Sequence, residues 1–157
     1  MLQTNQSAPL DLILTDEEGV TFTLREFLGS WVVLYFYPKD NTPGCTLEAE
    51  GFRDHTKEFK KLGARILGVS KDTCISHKKF IEKKKLIFTL VADVDHSLME
   101  AFGTWGERKF MGRTYMGTSR STFLIDPQGT IVHVWEQVKP AGHPGEVLGA
   151  LRVLSRF

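Results

Sequence analysis

Runs of apolar residues separated by polar segments divide the chain into predicted strands. Residues 31–37 are seven consecutive apolar or aromatic residues. This run is too short for most helices and rich in strand-forming types, so it predicts a central strand buried on both faces. Shorter runs predict strands at 66–69 and 88–91, and two later strands, 121–125 and 130–135, are joined by a polar Asp-Pro-Gln-Gly turn.

Helical periodicity and capping signals predict the helices. Thr42 followed by Pro43 is the pattern of an N-cap and a first-turn proline. Apolar positions then recur at helical spacing as far as Leu62, and Gly63 is expected to end this helix. The other predicted helices are a short one at 24–28, one capped by Asp72 or Thr73 that ends near residue 85, and those at 96–102 and 146–154.

Strands that alternate with helices, followed by a hairpin and a final helix, predict an α/β fold with a sheet covered by helices on both faces. Residues 12–14 and 20–22 flank a polar turn with Gly19 and predict an N-terminal β-hairpin. Residues 103–117 carry four glycines among aromatic and charged residues without a clear period. We expect a functional loop there.

Length and composition bound the class of protein. The 157 residues fit one domain spanning 1–157, and 41% hydrophobic residues suffice for a buried core. A net charge of +1, from 20 basic and 19 acidic residues, gives no general attraction to nucleic acid or to an anionic membrane. No apolar run approaches the ~20 residues of a membrane span, and the first residues lack the pattern of a secretory signal. We expect a cytoplasmic protein.

The two cysteines, Cys45 and Cys74, are too few for a disulfide framework or a cysteine-based zinc site. The five histidines are scattered without metal-site spacing, so no metal and no cofactor are expected. Sulfur chemistry in such a chain would be catalytic.

Cys45 lies where a loop leaves a buried strand and enters a helix. Unpaired N–H groups and the positive dipole end of a helix favour the thiolate, the nucleophilic form of cysteine. The Thr42 hydroxyl could cap the helix or reach a sulfur or a bound oxygen. Pro38 would shield one side of the loop, and Gly44 would allow a ligand to approach the backbone. An isolated helical cysteine is more often a small buried hydrophobe, but this strand-loop-helix context favours a reactive thiol.

The segment YFYPKDNTPGCTLEAEGFRD resembles the active-site region of the peroxiredoxins, specifically the bacterioferritin comigratory or Q-type subfamily. The P-x-x-x-T-x-x-C pattern is complete as Pro38, Thr42 and Cys45. The likeness continues in order along nearly the whole chain, through GVS at 68–70, WGE at 105–107, YMG at 115–117, RSTFLID at 120–126 and VKP at 138–140.

This resemblance implies a thioredoxin-like fold with a central mixed sheet, and a thiol-dependent peroxidase that acts on hydrogen peroxide and organic hydroperoxides. It assigns the peroxidatic cysteine to Cys45 and the active-site arginine to Arg120. The Cys45 thiolate would take one peroxide oxygen and become a sulfenic acid. Pro43, Gly44 and Trp105 are expected near the substrate. Aromatic residues of the glycine-rich segment could instead form a subunit contact, so a monomer or a weak homodimer is expected.

The chain departs from the subfamily where a second, resolving cysteine is usual. The position five residues after Cys45 is Glu50, and the stretch after the H-x-x-F segment at 77–80 carries no cysteine. Cys74 is the remaining internal candidate, but its place on the inward stripe of its helix favours a buried structural thiol. We therefore expect a one-cysteine mechanism with an external reductant, namely glutathione, a glutaredoxin or thioredoxin.

Two alternatives remain at this point, and a third lacks its motif. Cys74 could resolve the oxidised Cys45 in a two-cysteine mechanism. The chain could be a peroxide sensor that passes its oxidation to another protein without turnover. A disulfide reductase would need a C-x-x-C pair at a helix start, and Cys45-Thr46-Leu47-Glu48 does not supply it.

Overall fold

A computed structural model describes residues 1–156 and contains nine strands, four α-helices and one short 3-10 helix within them. The strands are β1 Leu14–Thr15, β2 Thr21–Phe22, β3 Trp31–Phe36, β4 Ala64–Ser70, β5 Thr89–Ala92, β6 Trp105–Phe110, β7 Arg113–Thr118, β8 Ser121–Ile125 and β9 Ile131–Trp135. The helices are α1 Pro43–Lys61, α2 Cys74–Lys84, α3 Ser97–Phe102 and α4 His143–Leu154, with the 3-10 helix at Leu24–Phe27.

Five of the strands form one mixed sheet in the order β5-β4-β3-β8-β9. The predicted central strand is confirmed, because β3 pairs parallel with β4 and antiparallel with β8. Parallel β3–β4 and β4–β5 pairs need crossover connections, which α1 and α2 supply. The predicted N-terminal hairpin is also present, with Leu14 opposite Phe22.

Alternate residues of β3 point to opposite faces of the sheet and begin two separate cores. Val33 and Tyr35 pack into a first core cluster with side chains of α1 and α4. Tyr35 stacks on Phe52 of α1 with 4.6 Å between ring centroids. Leu34 and Phe36 pack into a second core cluster on the other face, with side chains of α3 and β8. Both faces of the sheet are therefore covered, as the sequence predicts.

The capping signals place the two helices that follow β3 and β4. Thr42 has extended backbone angles, and Pro43 opens α1 behind it. The chain leaves α1 through Gly63, whose φ of +73° is readily adopted by glycine. The Thr73 hydroxyl accepts a hydrogen bond from the Ser76 N–H and caps α2. None of the helices in residues 1–156 combines the length and apolar character that a membrane span requires.

The prediction of a loop at 103–117 is wrong, because this segment forms an antiparallel hairpin of β6 and β7. Met111 and Gly112 occupy its turn with φ values of +51° and +77°, which suit a tight hairpin turn. Most of β7 is exposed on both faces. Such a strand has no buried face to keep apolar, so its sequence lacks the alternation of apolar and polar residues that would have predicted it. Helix α4 also begins at His143, three residues before the predicted start, with a proline in its first turn.

Candidate active site

Cys45 occupies the first turn of α1, immediately after the loop that leaves β3. Its side chain is buried, with 1% exposure, and belongs to the first core cluster. The N–H groups of this turn have no partner within the helix, and the helix dipole is positive here. The sequence prediction for the position of Cys45 is thus confirmed, and this position favours the ionised sulfur.

Arg120 is brought to Cys45 by the sheet. It lies just before β8, and Ser121 at the start of β8 faces Phe36 at the end of β3. The Arg120 Nη2 group donates a hydrogen bond to the Cys45 Sγ atom over 3.3 Å. Because the guanidinium is permanently charged and its side chain is mostly buried, it favours a thiolate on Cys45.

Glu48, one turn after Cys45 on α1, is a site residue that the sequence reasoning missed. Its Oε1 atom accepts a hydrogen bond of 2.8 Å from Arg120 Nη1. Its side chain is fully buried, and its Oε2 atom has no hydrogen-bond partner within residues 1–156. Burial raises the pKa of Glu48 to about 7, although Arg120 acts in the opposite direction. Burial lowers the pKa of Arg120, but the adjacent charges of Cys45 and Glu48 outweigh it and raise that pKa overall.

Thr42 forms the N-cap of α1 by position, but its side chain neither caps the helix nor contacts the Cys45 sulfur. The hydroxyl instead donates to the Lys39 carbonyl over 2.9 Å. The capping role expected for this hydroxyl is therefore not observed, and its approach to a bound oxygen stays a prediction. The hydrogen bond closes the turn from Lys39 to Thr42, and Pro38 and Pro43 on either side of it are exposed.

The Arg120 guanidinium lies directly beside the backbone of Gly44. A β-carbon at this position would lie 3.2 Å from Arg120 Nη2 and 3.4 Å from Pro140 Cγ. The separation from Arg120 is tighter than an ordinary van der Waals contact, and the one from Pro140 is at the short end of that range. The absence of a side chain at Gly44 therefore allows the guanidinium to approach the start of α1.

The structure does not bring Trp105 together with Cys45. The Trp105 indole in β6 stacks on the His96 imidazole, with 3.6 Å between ring centroids. Trp105 also packs against the second core cluster, on the face of the sheet opposite the cluster that contains Cys45. These contacts give Trp105 a structural role in anchoring the β6–β7 hairpin.

Cys74 is the first residue of α2, and the prediction that it is buried is only partly correct. The thiol is partly exposed and donates a hydrogen bond to the Asp16 carbonyl over 3.3 Å. It borders a groove of about 310 Å³ whose walls include Leu14 and Val91. Those two residues belong to the second core cluster, whereas Cys45 belongs to the first. Both cysteines are free thiols.

A buried polar network fixes the loop before α1, and the sequence reasoning did not find it. The Asp40 carboxylate accepts hydrogen bonds from the Tyr37 hydroxyl at 2.6 Å and the Ser76 hydroxyl at 2.9 Å. It also lies 2.7 Å from Nδ1 of His77, whose Nε2 is 2.9 Å from the Val91 carbonyl. Both ring nitrogens of His77 are therefore within hydrogen-bond distance of an oxygen atom. The network ties the loop to α2 and β5.

The same region contains a group of side chains that could approach a metal ion. Asp40, Asp72 and His77 each place one carboxylate oxygen or ring nitrogen so that the three atoms lie within 4.8 Å of one another. However, Asp72 Oδ2 accepts hydrogen bonds from the Asp40 N–H and the Ser70 hydroxyl. Both Asp40 oxygens and both His77 ring nitrogens also have hydrogen-bond partners, so the geometry favours a structural network.

A buried sulfur beside a guanidinium and a helix N-terminus is an arrangement for nucleophilic chemistry. The guanidinium and the helix N–H groups can stabilise negative charge that moves from the sulfur to a departing oxygen. The neighbouring loop residues Pro38 and Pro43 are exposed to solvent, whereas the sulfur itself is buried.

Comparison with known proteins gives consistent results. The family model described as the AhpC/TSA family matches residues 4–134. A relative named Peroxiredoxin Bcp from Bacillus subtilis strain 168 is 47% identical over 154 residues, which is 98% of each chain. Peroxiredoxin Bcp from Escherichia coli K12 is 47% identical over 139 residues, covering 88% of this chain and 89% of the relative.

Solved structures extend the likeness to the fold. Peroxiredoxin Q of Xanthomonas campestris superposes with a TM-score of 0.91 at 44% identity, covering 98% of both chains. A cysteine-to-serine variant of the Xylella fastidiosa protein superposes with a TM-score of 0.94 at 37% identity, covering 99% of this chain and 98% of that one. The chain therefore belongs to the AhpC/TSA family, with the thioredoxin-like fold of the Bcp and Q-type peroxiredoxins, and is a thiol-dependent peroxidase.

Proposed function

We propose that Cys45 is the peroxidatic nucleophile of this peroxidase. Its thiolate attacks the terminal oxygen of a hydroperoxide, so that an S–O bond forms while the O–O bond breaks. The sulfur gives two electrons to the peroxide and becomes a sulfenic acid, and the departing oxygen leaves as water or an alcohol after taking up a proton. The observation that carries this proposal is the 3.3 Å hydrogen bond from Arg120 to the Cys45 sulfur.

Arg120 and the loop supply the electrostatic part of the reaction in this proposal. The guanidinium stabilises charge both on the sulfur and on the departing oxygen, with help from the N–H groups of the first turn of α1. Thr42 fixes the loop through its bond to the Lys39 carbonyl. Gly44 leaves room for Arg120 and a peroxide, and Pro38 and Pro43 shape the rim.

Alkyl hydroperoxides are proposed as substrates beside hydrogen peroxide. A 43% identical structure, which superposes with a TM-score of 0.92, concerns the alkyl peroxide reduction activity of the Xanthomonas campestris bacterioferritin comigratory protein. Next to Cys45, Pro43 precedes Gly44 and the Pro140 ring lies beside it, and these apolar rings suit an alkyl group. Steady-state turnover with hydrogen peroxide and with a tertiary alkyl hydroperoxide would measure this preference.

An external thiol is proposed to recycle the sulfenic acid in a one-cysteine mechanism. Glu50 and Ile81 stand where the subfamily places its resolving cysteines, and Glu50 lies 3.7 Å from the Arg53 guanidinium. Cys74 donates to Asp16 beside the second core cluster, away from the cluster that holds Cys45. One thiol would displace water from the sulfenic acid to form a mixed disulfide, and a second would release the Cys45 thiol.

The test compares Cys45→Ser with Cys74→Ser in peroxide consumption. Cys45→Ser is expected to lose activity, and Cys74→Ser to keep both its oxidation rate and its turnover with glutathione, glutaredoxin or thioredoxin. Intact-mass analysis of peroxide-treated protein is expected to show one added oxygen. A loss of two hydrogens by formation of a Cys45–Cys74 disulfide, together with lost turnover in Cys74→Ser, would instead establish the two-cysteine mechanism. Oxidation without turnover by any of the three reductants would point to a sensor.

A further inference from the structure

The Arg120 guanidinium bridges two acidic side chains that lie one helical turn apart. Nη2 donates to the sulfur of Cys45, and Nη1 donates to the carboxyl group of Glu48. Cys45 and Glu48 are both at most 1% exposed. One permanent positive charge is therefore shared between two groups that can each carry a negative charge.

The groups packed around Glu48 do not supply a second positive charge. Tyr35 of β3 is neutral, because burial raises its pKa well above the ordinary value. Burial lowers the pKa of His143 on α4, which also favours its neutral form. Asp40 and His77 are engaged with each other, with 2.7 Å between a carboxylate oxygen and Nδ1. Within residues 1–156, Glu48 forms its ion pair with Arg120 and with no other cationic side chain.

Full ionisation of both acids would bury a net negative charge, which is costly in a low-dielectric interior. One proton held by the pair removes this cost. The Oε2 atom of Glu48 is buried without a hydrogen-bond partner in the described part of the chain. Such an oxygen is less costly as a neutral O–H than as an unpaired anion. The proton therefore belongs on Glu48 when the sulfur is ionised.

We propose that Glu48 stores the proton that Cys45 gives up, and that it releases this proton when the sulfur is oxidised. The proposal rests on the function assigned to Cys45 above. Before oxidation, Arg120 pairs with the thiolate while Glu48 is a neutral acid. Once Cys45 is a neutral sulfenic acid, Arg120 is free to pair with an ionised Glu48.

The step balances in charge and in atoms. A thiolate, a carboxylic acid and a hydroperoxide give a sulfenic acid, a carboxylate and an alcohol. The S–O bond forms, the O–O bond breaks, and the proton of Glu48 compensates the charge of the departing alkoxide. The buried cluster is neutral before and after the reaction. The pKa of Glu48, raised by burial to about 7, allows proton release near neutral pH.

The test counts protons during oxidation by one equivalent of hydrogen peroxide, with a pH indicator in weak buffer at about pH 7.5, just above the pKa of Glu48. Wild type and Glu48→Gln are compared, both in a Cys74→Ser background. Glutamine retains an oxygen that can accept from Arg120 but cannot release a proton. Wild type is expected to take up no net proton per sulfur, whereas Glu48→Gln takes up one. Equal proton uptake by the two proteins would overturn the proposal.

Infrared difference spectroscopy of the wild-type protein provides a second readout that does not depend on the folding of a variant. The carbonyl stretch of a protonated carboxyl group is expected in the reduced protein and should disappear on oxidation. A reduced protein without this band would contradict the proton store. If Cys45→Ser still consumes peroxide, the function assigned to Cys45 fails instead, so the two failures are distinguishable.

Discussion

Arg120 contacts the sulfur of Cys45 although the two residues are 75 positions apart in the chain. The contact depends on the antiparallel register of β3 and β8, in which Phe36 faces Ser121. This register places the residue before β8 next to the loop after β3, from which α1 begins. The hydrogen bond from Arg120 to the sulfur thus depends on the pairing of β3 and β8 in the central sheet.

Replacing Arg120 by lysine is expected to slow the oxidation of Cys45 by roughly 10²-fold. Lysine keeps the charge but cannot donate from two nitrogens to Cys45 and Glu48 at once. Stopped-flow measurement of the second-order rate constant with hydrogen peroxide checks this. Arg113→Lys on the exposed hairpin is the matched control and should react like wild type. An Arg120→Lys rate within threefold of wild type would show that charge alone suffices.

Gly44→Ala is expected to slow oxidation by roughly ten- to a hundredfold without unfolding the protein. The new methyl group would lie 3.2 Å from Arg120 Nη2 and displace the guanidinium from the sulfur. Gly149→Ala is the control, since a β-carbon at that exposed position of α4 meets nothing within 4 Å. It should leave the rate unchanged and stabilise its helix by about 0.5–1 kcal/mol. Equal oxidation rates in the two variants would argue against the close approach at Gly44.

The elements that position Cys45 could be predicted because their signals are local. The apolar run of β3 and the Thr42-Pro43 cap mark the strand, the loop and the start of α1 within fifteen residues. Arg120 was assigned through a family resemblance, since no local pattern relates it to Cys45. The β6–β7 hairpin was missed because its largely exposed strands carry no alternation of apolar and polar residues.

Glu48 and His77 were missed for a different physical reason. An acid or a histidine is usually exposed, so neither residue type signals a buried site from sequence. Both are nevertheless fully buried, because each has a polar partner supplied by another element, Arg120 for Glu48 and Asp40 for His77. A signal for Glu48 did exist, since it lies three residues after Cys45 and four before Phe52, on the inward stripe of α1.

Glu48 is expected to make the protein less stable as the pH rises from about 4.5 to about 7. Its pKa is about 7 in the folded protein and 4.5 in the unfolded chain. Between these values the folded state retains a proton that the unfolded chain has released, so the free energy of unfolding falls with rising pH. The difference is up to about 3 kcal/mol. Urea unfolding at several pH values should show this fall in wild type and a smaller one in Glu48→Gln.

His77→Gln is expected to destabilise the protein by about 3 kcal/mol. The substitution removes the imidazole nitrogen that lies 2.7 Å from the buried Asp40 carboxylate and leaves that carboxylate short of a hydrogen-bond partner. Because Asp40 also anchors the loop between β3 and α1, the oxidation of Cys45 should slow as well. Urea unfolding and stopped-flow oxidation measure the two effects. Lys78→Gln is the control, since its salt bridge to Glu18 is exposed and screened by solvent and should contribute little to stability.

A double-mutant cycle separates the interaction between Asp40 and His77 from simple loss of packing. Asp40→Asn removes the anion, so adding it to His77→Gln should recover part of the lost stability. The recovery arises because two neutral amides can still hydrogen bond, whereas one unpaired carboxylate stays buried at a cost. If the destabilisation of the double variant equals the sum of the two single variants, Asp40 and His77 are not energetically coupled. The loop before Cys45 would then be fixed by the Tyr37 and Asp72 hydrogen bonds alone.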